Sequence, residues 1–211
     1  MSRTTGSVSA AILLMSGLAL GACAGGSAAA TSARPSSSAT AVAPTETPAG
    51  TATRPPDAVV TALPTVSRPG AKAASARIKG GKGTFSQGVT YADGLTMHVV
   101  GVKQSTSTGQ GPGVFVGAPQ TAVSLEIVNG THAELKLDQV VVSMVYGKPT
   151  RLAAPVYDQS SRDLSGSLKP GARTTATYQF SVPVKELGNV VMTVDIDGVH
   201  SVATFSGSAR R

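Results

Sequence analysis

Apolar and polar residues alternate with a period of two through the C-terminal part of the chain, from about residue 84 onward. The clearest example places apolar side chains on one face and polar side chains on the other: Ala176, Tyr178, Phe180 and Val182 against Thr175, Thr177, Gln179 and Ser181. Similar runs occupy 123–127, 190–197 and 201–205. Alternation of this kind predicts half-buried β-strands rather than helices.

Two segments depart from simple alternation. Leu95, Met97 and Val99 share one phase, but the valines that follow at 100 and 102 take the other phase. This change of phase predicts a β-bulge, because one extra residue in a strand moves every later side chain to the opposite face. The segment 140–146 is apolar at almost every position, which predicts a central strand.

Residues that favour chain reversal separate these strands, at 93–94, 129–130, 146–149, 169–171 and 197–198. Only 184–187 predicts a helical turn. We therefore expect an all-β fold: one antiparallel, immunoglobulin-like β-sandwich of about seven or eight strands in residues 84–211. The expectation covers the architecture alone, because a chain with one cysteine and no tryptophan lacks the buried core pattern of true immunoglobulin domains.

The N-terminal residues predict a lipoprotein signal peptide over 1–22. Arg3 precedes an apolar stretch at 8–20, which is shorter than the roughly 20 residues of a transmembrane helix. The stretch ends in Leu20-Gly21-Ala22-Cys23, which resembles the lipobox of bacterial lipoproteins. We expect lipidation of Cys23, with palmitate among its acyl chains, and anchoring on the outer face of the cell membrane. A secreted protein cleaved elsewhere is the alternative.

Composition predicts a disordered stalk over residues 23–83. The segment 24–82 consists mostly of Ala, Gly, Ser, Thr and Pro and has no aromatic residue, so it offers little apolar surface to bury. It carries seven Lys and Arg against two Asp and Glu, a net charge of +5, whereas 83–211 carries ten against nine, a net charge of +1. Because the basic surplus lies mainly in the stalk, without aromatic residues to stack on bases, we expect no nucleic-acid partner.

Several short motifs occur in order between residues 91 and 207. They are 123–129 followed by Gly130-Thr131, Pro155-Val156-Tyr157-Asp158, Gly166-Ser167-Leu168-Lys169-Pro170-Gly171, Phe180-Ser181-Val182-Pro183, Val194-Asp195-Ile196-Asp197 and Phe205-Ser206-Gly207. Together they resemble an immunoglobulin-like domain family of unknown function, carried by actinobacterial and firmicute secreted lipoproteins and often mislabelled as telomeric repeat-binding factor. The resemblance implies the fold and an extracytoplasmic location, and it implies no catalytic residues.

No motif for nucleophilic, metal-dependent or phosphate chemistry occurs in the chain. The three histidines, His98, His132 and His200, are isolated from one another in sequence, and we expect each to lie at the surface or at a sheet edge. The glycine-rich segment 109–113 does not open a helix, so it predicts a flexible loop rather than a phosphate site. The apolar triplet at 114–116 is either an edge strand or an exposed partner patch.

Two sets of side chains are candidate metal ligands. A copper site would use Met97, His98, Met144, Met192 and His200. A calcium site would use Asp195, Asp197 and either Asp158 or Asp163. The methionines occupy apolar positions of their strands, so core packing is the favoured interpretation. The aspartates lack the other ligands of a calcium loop, so a solvated strand face is favoured. We therefore predict no metal, no cofactor and no catalytic residues.

These observations favour a non-catalytic binding or scaffolding module, anchored to the membrane through Cys23. Its partner would be an envelope protein or a cell-wall polymer. The alternatives are a carrier of copper, calcium or a small ligand, and an enzyme whose site is assembled from scattered loop residues.

Overall fold

The computed structural model describes residues 53–210. The predicted lipidation site Cys23, the predicted signal peptide and the part of the predicted stalk before residue 53 lie outside the described residues. Within 53–210, no helix has both the length and the apolar character that crossing a membrane requires.

Twelve β-strands and two short 3₁₀ turns occur in the described part of the chain. The strands are β1 (Lys82–Thr84), β2 (Val89–Thr90), β3 (Leu95–Thr106), β4 (Pro119–Asn129), β5 (Leu135–Lys136), β6 (Val141–Tyr146), β7 (Arg151–Leu152), β8 (Ala154–Val156), β9 (Ser167–Leu168), β10 (Arg173–Ser181), β11 (Val190–Asp195) and β12 (Ala203–Gly207). The 3₁₀ turns are Ala74–Ala76 and Val184–Glu186, the second of which confirms the helical turn predicted at 184–187.

Ten of these strands form two five-stranded sheets that pack against each other as a β-sandwich. The first sheet has the order β1-β12-β11-β6-β7 and the second the order β2-β3-β4-β10-β8, while β5 and β9 form a separate two-stranded ribbon. Every strand pair is antiparallel except β1 with β12. The predicted all-β, immunoglobulin-like sandwich is therefore confirmed.

The alternating runs supply the core, as the sequence predicted. Met97, Leu125 and Phe180 from the second sheet and Met192 and Phe205 from the first belong to one buried cluster, each at most 3% exposed. The long central segment 140–146 is only partly a central strand. β6 pairs with β11 along its whole length, but only its last two residues also pair with β7.

The predicted β-bulge lies in β3. The register of β3 against β4 shifts between Val99 and Gly101, so Val99 is buried before the bulge and Val102 packs against the core after it. After the shift, Gln104 shares the phase of Val102; it stays exposed, and its side-chain amide donates to the Thr121 hydroxyl (3.0 Å). The bulge therefore reverses which side chains of β3 point toward the core in the residues that follow Val99.

The folded part begins earlier than the boundary expected at residue 84. Residues 53–79, which we call the strap, run along the first sheet before β1. Near its start the strap adds a neighbour to β7: Leu152 N donates to Ala58 O and Val60 N donates to Thr150 O, each at 2.9 Å.

The strap then crosses the end of the sheet where β6 begins and β11 ends. Lys72 N donates to Gly198 O (3.2 Å) and Ile78 N donates to Val199 O (2.9 Å). Ile78 also forms a parallel bridge with His200, from which the chain continues into β1. Composition missed this segment because backbone hydrogen bonds hold it, and those need no apolar side chains.

Candidate functional site

The candidate copper ligands occupy different environments and do not form one site. Met97, Met144 and Met192 are at most 1% exposed in the sandwich core, which confirms that they pack as core residues. His132 is exposed and His98 is half-buried on β3. Among the described residues, no group of three or more His, Cys, Asp or Glu side chains is arranged to hold a metal ion.

His200 does not lie at the surface, so the prediction for this histidine was wrong. Its side chain is 6% exposed, with Nδ1 2.8 Å from Asp197 Oδ2 and Nε2 2.9 Å from Asp93 Oδ2. The Tyr91 ring packs edge-on against the imidazole, with centroids 5.0 Å apart. Asp93 is 107 residues away in sequence, and only the pairing of the strands brings it to His200.

With Asp93 and Asp197 ionised, the geometry favours an imidazolium of His200 that carries both ring protons. An ionised carboxylate only accepts hydrogen bonds, so each nitrogen must donate one. Burial by itself lowers the pKa of His200, but the hydrogen bonds and charges of Asp197 and Asp93 outweigh it and hold that pKa above its usual value. His200 therefore cross-links the β2–β3 turn to the β11–β12 loop, and neither ring nitrogen is available as a base.

Asp195, a candidate calcium ligand, is buried rather than on a solvated strand face. It is 5% exposed, and Arg68 Nε donates to its Oδ1 (3.0 Å). The Arg68 guanidinium also contacts the carbonyl oxygens of Asp195 and Gln139. The strap carries Arg68 over the end of β11, and this is why the alternating pattern of that strand did not predict the burial of its aspartate.

Asp158, the other carboxylate considered for calcium, organises a polar network on the outer face of the second sheet. Gln120 Nε2 donates to its Oδ2 (2.7 Å), and Gln179 Nε2 donates to its Oδ1. Ser160 donates to the same Oδ1 through both its backbone N–H and its hydroxyl, each at 2.8 Å. Burial raises the pKa of Asp158, but the bonds from Ser160, Gln179 and Gln120 outweigh it and leave the pKa lowered.

This network forms the floor of a groove of about 640 Å³, which we call the amide groove. Gln120 and Gln179 are each 4% exposed although they point away from the core, because the 157–161 loop folds over them. Ser107 Oγ donates to Gln120 Oε1 (3.1 Å) and holds that side chain from the other side. The floor amides are thereby fixed in orientation before any ligand arrives.

The walls of the amide groove are polar and carry little net charge. They are formed by residues 103–106 at the end of β3, by residues 108–110 of the loop after it, and by the 158–160 segment. Lys103 is the one cationic residue of the lining, and Asp158 is the one anionic residue. The remaining polar groups are amides and hydroxyls, contributed by Gln104, Ser105, Thr106, Thr108, Gln110, Gln120, Gln159, Ser160 and Gln179.

Sequence analysis did not identify the amide groove as a site. Gln120 and Gln179 read as ordinary polar positions of alternating strands, and nothing in their local sequence predicts burial. One signal was present: in Asp158-Gln159-Ser160-Ser161, an aspartate is followed two residues later by a serine, which is typical of an Asx turn. Such a turn predicts a rigid loop at this position.

The glycine-rich segment 109–113 rests against the end of β8. Tyr157 N donates to Pro112 O (2.9 Å). Gly113 has φ +74°, and a Cβ there would lie 2.2 Å from Pro155 O, so the close approach requires glycine. The segment 114–116 that follows is not an edge strand, and of its three residues only Val116 is exposed, at 67%.

Comparison with known proteins found no matching family model and no similar curated protein. Among solved structures, the yjhA protein from Bacillus subtilis is similar to 56% of this chain and 86% of its own, at 10% identity and TM-score 0.47. An uncharacterised β-sandwich protein from Clostridium difficile 630 is similar to 67% of this chain and 99% of its own, at 9% identity and TM-score 0.36. Membership of the lipoprotein family that residues 91–207 resemble stays a prediction.

Proposed function

We propose that this protein is a lipid-anchored, non-catalytic binding module of the cell surface that holds a hydroxyl-rich ligand in the amide groove. A segment of a cell-wall polymer is the ligand class that we favour. The observation that carries the proposal is the preset floor of the groove, where Asp158 fixes the amides of Gln120 and Gln179.

The chemistry of the lining supports a neutral, hydroxylated ligand. Amides and hydroxyls both donate and accept hydrogen bonds, as sugar hydroxyls do. The charge of Asp158 is already satisfied by two amides and a serine, so little attraction for an ion remains. A groove of about 640 Å³ falls within the usual range of small-ligand sites.

The arrangement around His200 supports a non-catalytic role. A histidine that acts as general base needs a nitrogen free to take a proton from substrate. Both nitrogens of His200 are bonded to carboxylates, at 2.8 and 2.9 Å. We therefore propose that the cluster of His200, Asp93 and Asp197 stabilises the fold and takes no part in catalysis.

The anchor at Cys23 supports a location at the cell surface. The 29 residues from 24 to 52 separate Cys23 from the described part of the chain, and they reach at most about 100 Å when extended. Labelling of the protein with palmitate in cells tests the anchor. Labelling that depends on Cys23, with release into solution of Cys23→Ala, is the expected result, and an unlabelled protein would contradict it.

Titration with soluble wall-derived oligosaccharides tests the groove. The variant Ser105→Ala with Gln159→Ala removes two exposed groups of the lining that form no side-chain hydrogen bond within 53–210, so the fold should persist. The matched control is Ser165→Ala with Gln139→Ala, which makes the same changes at exposed positions outside the groove.

We expect saturable binding that weakens about tenfold in the groove variant, since each hydrogen bond contributes on the order of 1 kcal/mol, and that is unchanged in the control. Equal affinities of the two variants, or no saturable binding at all, would refute the groove assignment. Metal analysis of the purified protein covers the carrier alternative, because one copper or calcium ion per chain would favour it.

A further inference from the structure

Five cationic side chains meet at the end of the sandwich where the described chain begins. We call this surface the basic tip, and its residues are Arg54, Lys148, Arg151, Lys185 and Arg210. The first four line one cleft of about 270 Å³, and the guanidinium of the fifth donates to the carbonyl oxygen of Lys185 (3.0 Å). Strap, β6–β7 turn, β7, the second 3₁₀ turn and the C-terminal end all contribute to this surface.

Positive charge is in surplus at the basic tip. Two carboxylates, Asp57 and Glu186, line the same cleft as four of these cations, and Arg210 adds a fifth cation beside it. Asp57 is already paired with Arg54. The other four tip cations, Lys148, Arg151, Lys185 and Arg210, form no ion pair with any residue of 53–210.

An exposed apolar side chain lies next to one of these cations in the chain. Val184, which precedes Lys185 in the second 3₁₀ turn, is 58% exposed. An exposed apolar group beside basic residues is typical of surfaces that lie on a membrane, because the apolar group enters the interface and the cations meet the anionic headgroups.

We propose that the basic tip docks on the headgroups of anionic phospholipids, so that this end of the sandwich faces the membrane. The proposal rests on the lipid anchor of the proposed function, because the anchored segment joins the folded part at this end. Thr53, the first described residue, directly precedes Arg54 of the tip.

The length of the connecting segment favours this docking. If the 29 residues from 24 to 52 form the disordered stalk that composition predicts, their root-mean-square reach is roughly 30 Å, which would hold an anchored domain close to the bilayer. A tether of this kind makes docking effectively intramolecular and raises the occupancy of a weak contact. Each lysine or arginine near an anionic surface contributes about fivefold to binding.

Vesicle binding of the mature-length chain, residues 23–211 with Cys23→Ser, tests the docking without a lipid anchor. The vesicles contain phosphatidylcholine with 30% phosphatidylglycerol, or phosphatidylcholine alone. The tip variant carries Lys148→Gln, Arg151→Gln and Lys185→Gln. The matched control removes three exposed cations at the opposite end of the sandwich, through Lys72→Gln, Lys79→Gln and Lys169→Gln.

We expect the tip variant to bind anionic vesicles about 100-fold more weakly than the unsubstituted chain, from three contributions of about fivefold each. The control should bind within about twofold of the unsubstituted chain, and 0.5 M NaCl should abolish binding in all three. Equal losses in the two variants would show attraction by net charge alone and would overturn the proposal. Tip-dependent binding to a soluble polyglycerol phosphate but not to the vesicles would overturn it in favour of an anionic wall polymer.

The result separates this proposal from the anchor on which it rests. If palmitate does not label Cys23 but the tip variant loses vesicle binding, the anchor fails and the basic tip remains a membrane surface. If palmitate labels Cys23 but both triple variants bind vesicles equally, the anchor stands and the docking of the basic tip is refuted.

Discussion

Replacement of His200 by glutamine should destabilise the fold in a way that depends on pH. The imidazolium of His200 donates to Asp93 and Asp197 at 2.9 and 2.8 Å. Glutamine has a similar length but no charge, and its amide nitrogen cannot bond two carboxylates on opposite sides. His200→Gln therefore leaves two neighbouring carboxylates without the cation that lies between them.

The expected loss follows from how deeply the cluster is buried. Removing one partner of a fully buried ion pair costs about 3–5 kcal/mol. Because the side chains of Asp93 and Asp197 remain 26% and 20% exposed, solvent screens part of that loss, and we expect a decrease of about 2–3 kcal/mol in the free energy of unfolding. For a domain of this size, the corresponding decrease in Tm is about 5–10 °C.

The sign of the pH dependence comes from the direction of the pKa shift. The pKa of His200 is held above its value in the unfolded chain, about 6.5, so the folded state binds the proton more tightly. The stabilisation is complete below about pH 6.5 and decreases as pH rises through the folded pKa. Asp197 acts in the opposite direction: its lowered pKa adds stability above its unfolded value, which is lost as pH falls through the lowered folded pKa.

Urea unfolding of the unsubstituted chain and of His200→Gln between pH 5.5 and 9 measures this difference. We expect the gap in unfolding free energy to be largest near pH 6 and to shrink as the pH rises. The control is His132→Gln, which replaces an exposed histidine and should leave the curve unchanged. A gap that stays constant across the pH range would refute the imidazolium assignment, and the location of His200 in the core would then account for the loss.

Three further predictions concern the strap and the end of β4. Arg68→Leu should lower the unfolding free energy by about 3–5 kcal/mol in urea denaturation, because it leaves the carboxylate of Asp195, 6% exposed, without its partner; an equal stability would show that the pair contributes nothing. Asn129→Ala should cost about 2–3 kcal/mol in the same assay, because the 0% exposed amide donates to Leu168 O at 2.7 Å and to a second carbonyl. A chain that starts at residue 80, which keeps β1, should melt at least 10 °C below one that starts at residue 53, and equal melting temperatures would contradict the role of the strap.

The strands and their faces could be predicted because each depends on local alternation. Leu125 and Met192 are buried where the pattern places them. The bulge between Val99 and Gly101 also left a local mark, since the apolar phase changes at that point. Features of this kind need no knowledge of which strands become neighbours.

The site could not be predicted because its residues meet only through strand pairing. Gln120 on β4 and Gln179 on β10 share the carboxylate of Asp158, which lies on a loop after β8. No spacing in the sequence relates these three residues. The burial of His200 depends in the same way on the turn before β3, which supplies Asp93.

The strap shows why composition is a poor guide at the edge of a sheet. An edge strand needs a neighbour for its backbone N–H and C=O groups, and any residue except proline supplies both groups. The strap bonds β7 through Ala58 and Val60 and covers that edge of the first sheet, and it then leads into β1, which pairs with β12. Its few side-chain contacts, such as that of Arg68, fix its path across the end of the sheet. A low apolar content therefore argues against a core of its own, and it does not argue against an ordered place on an existing core.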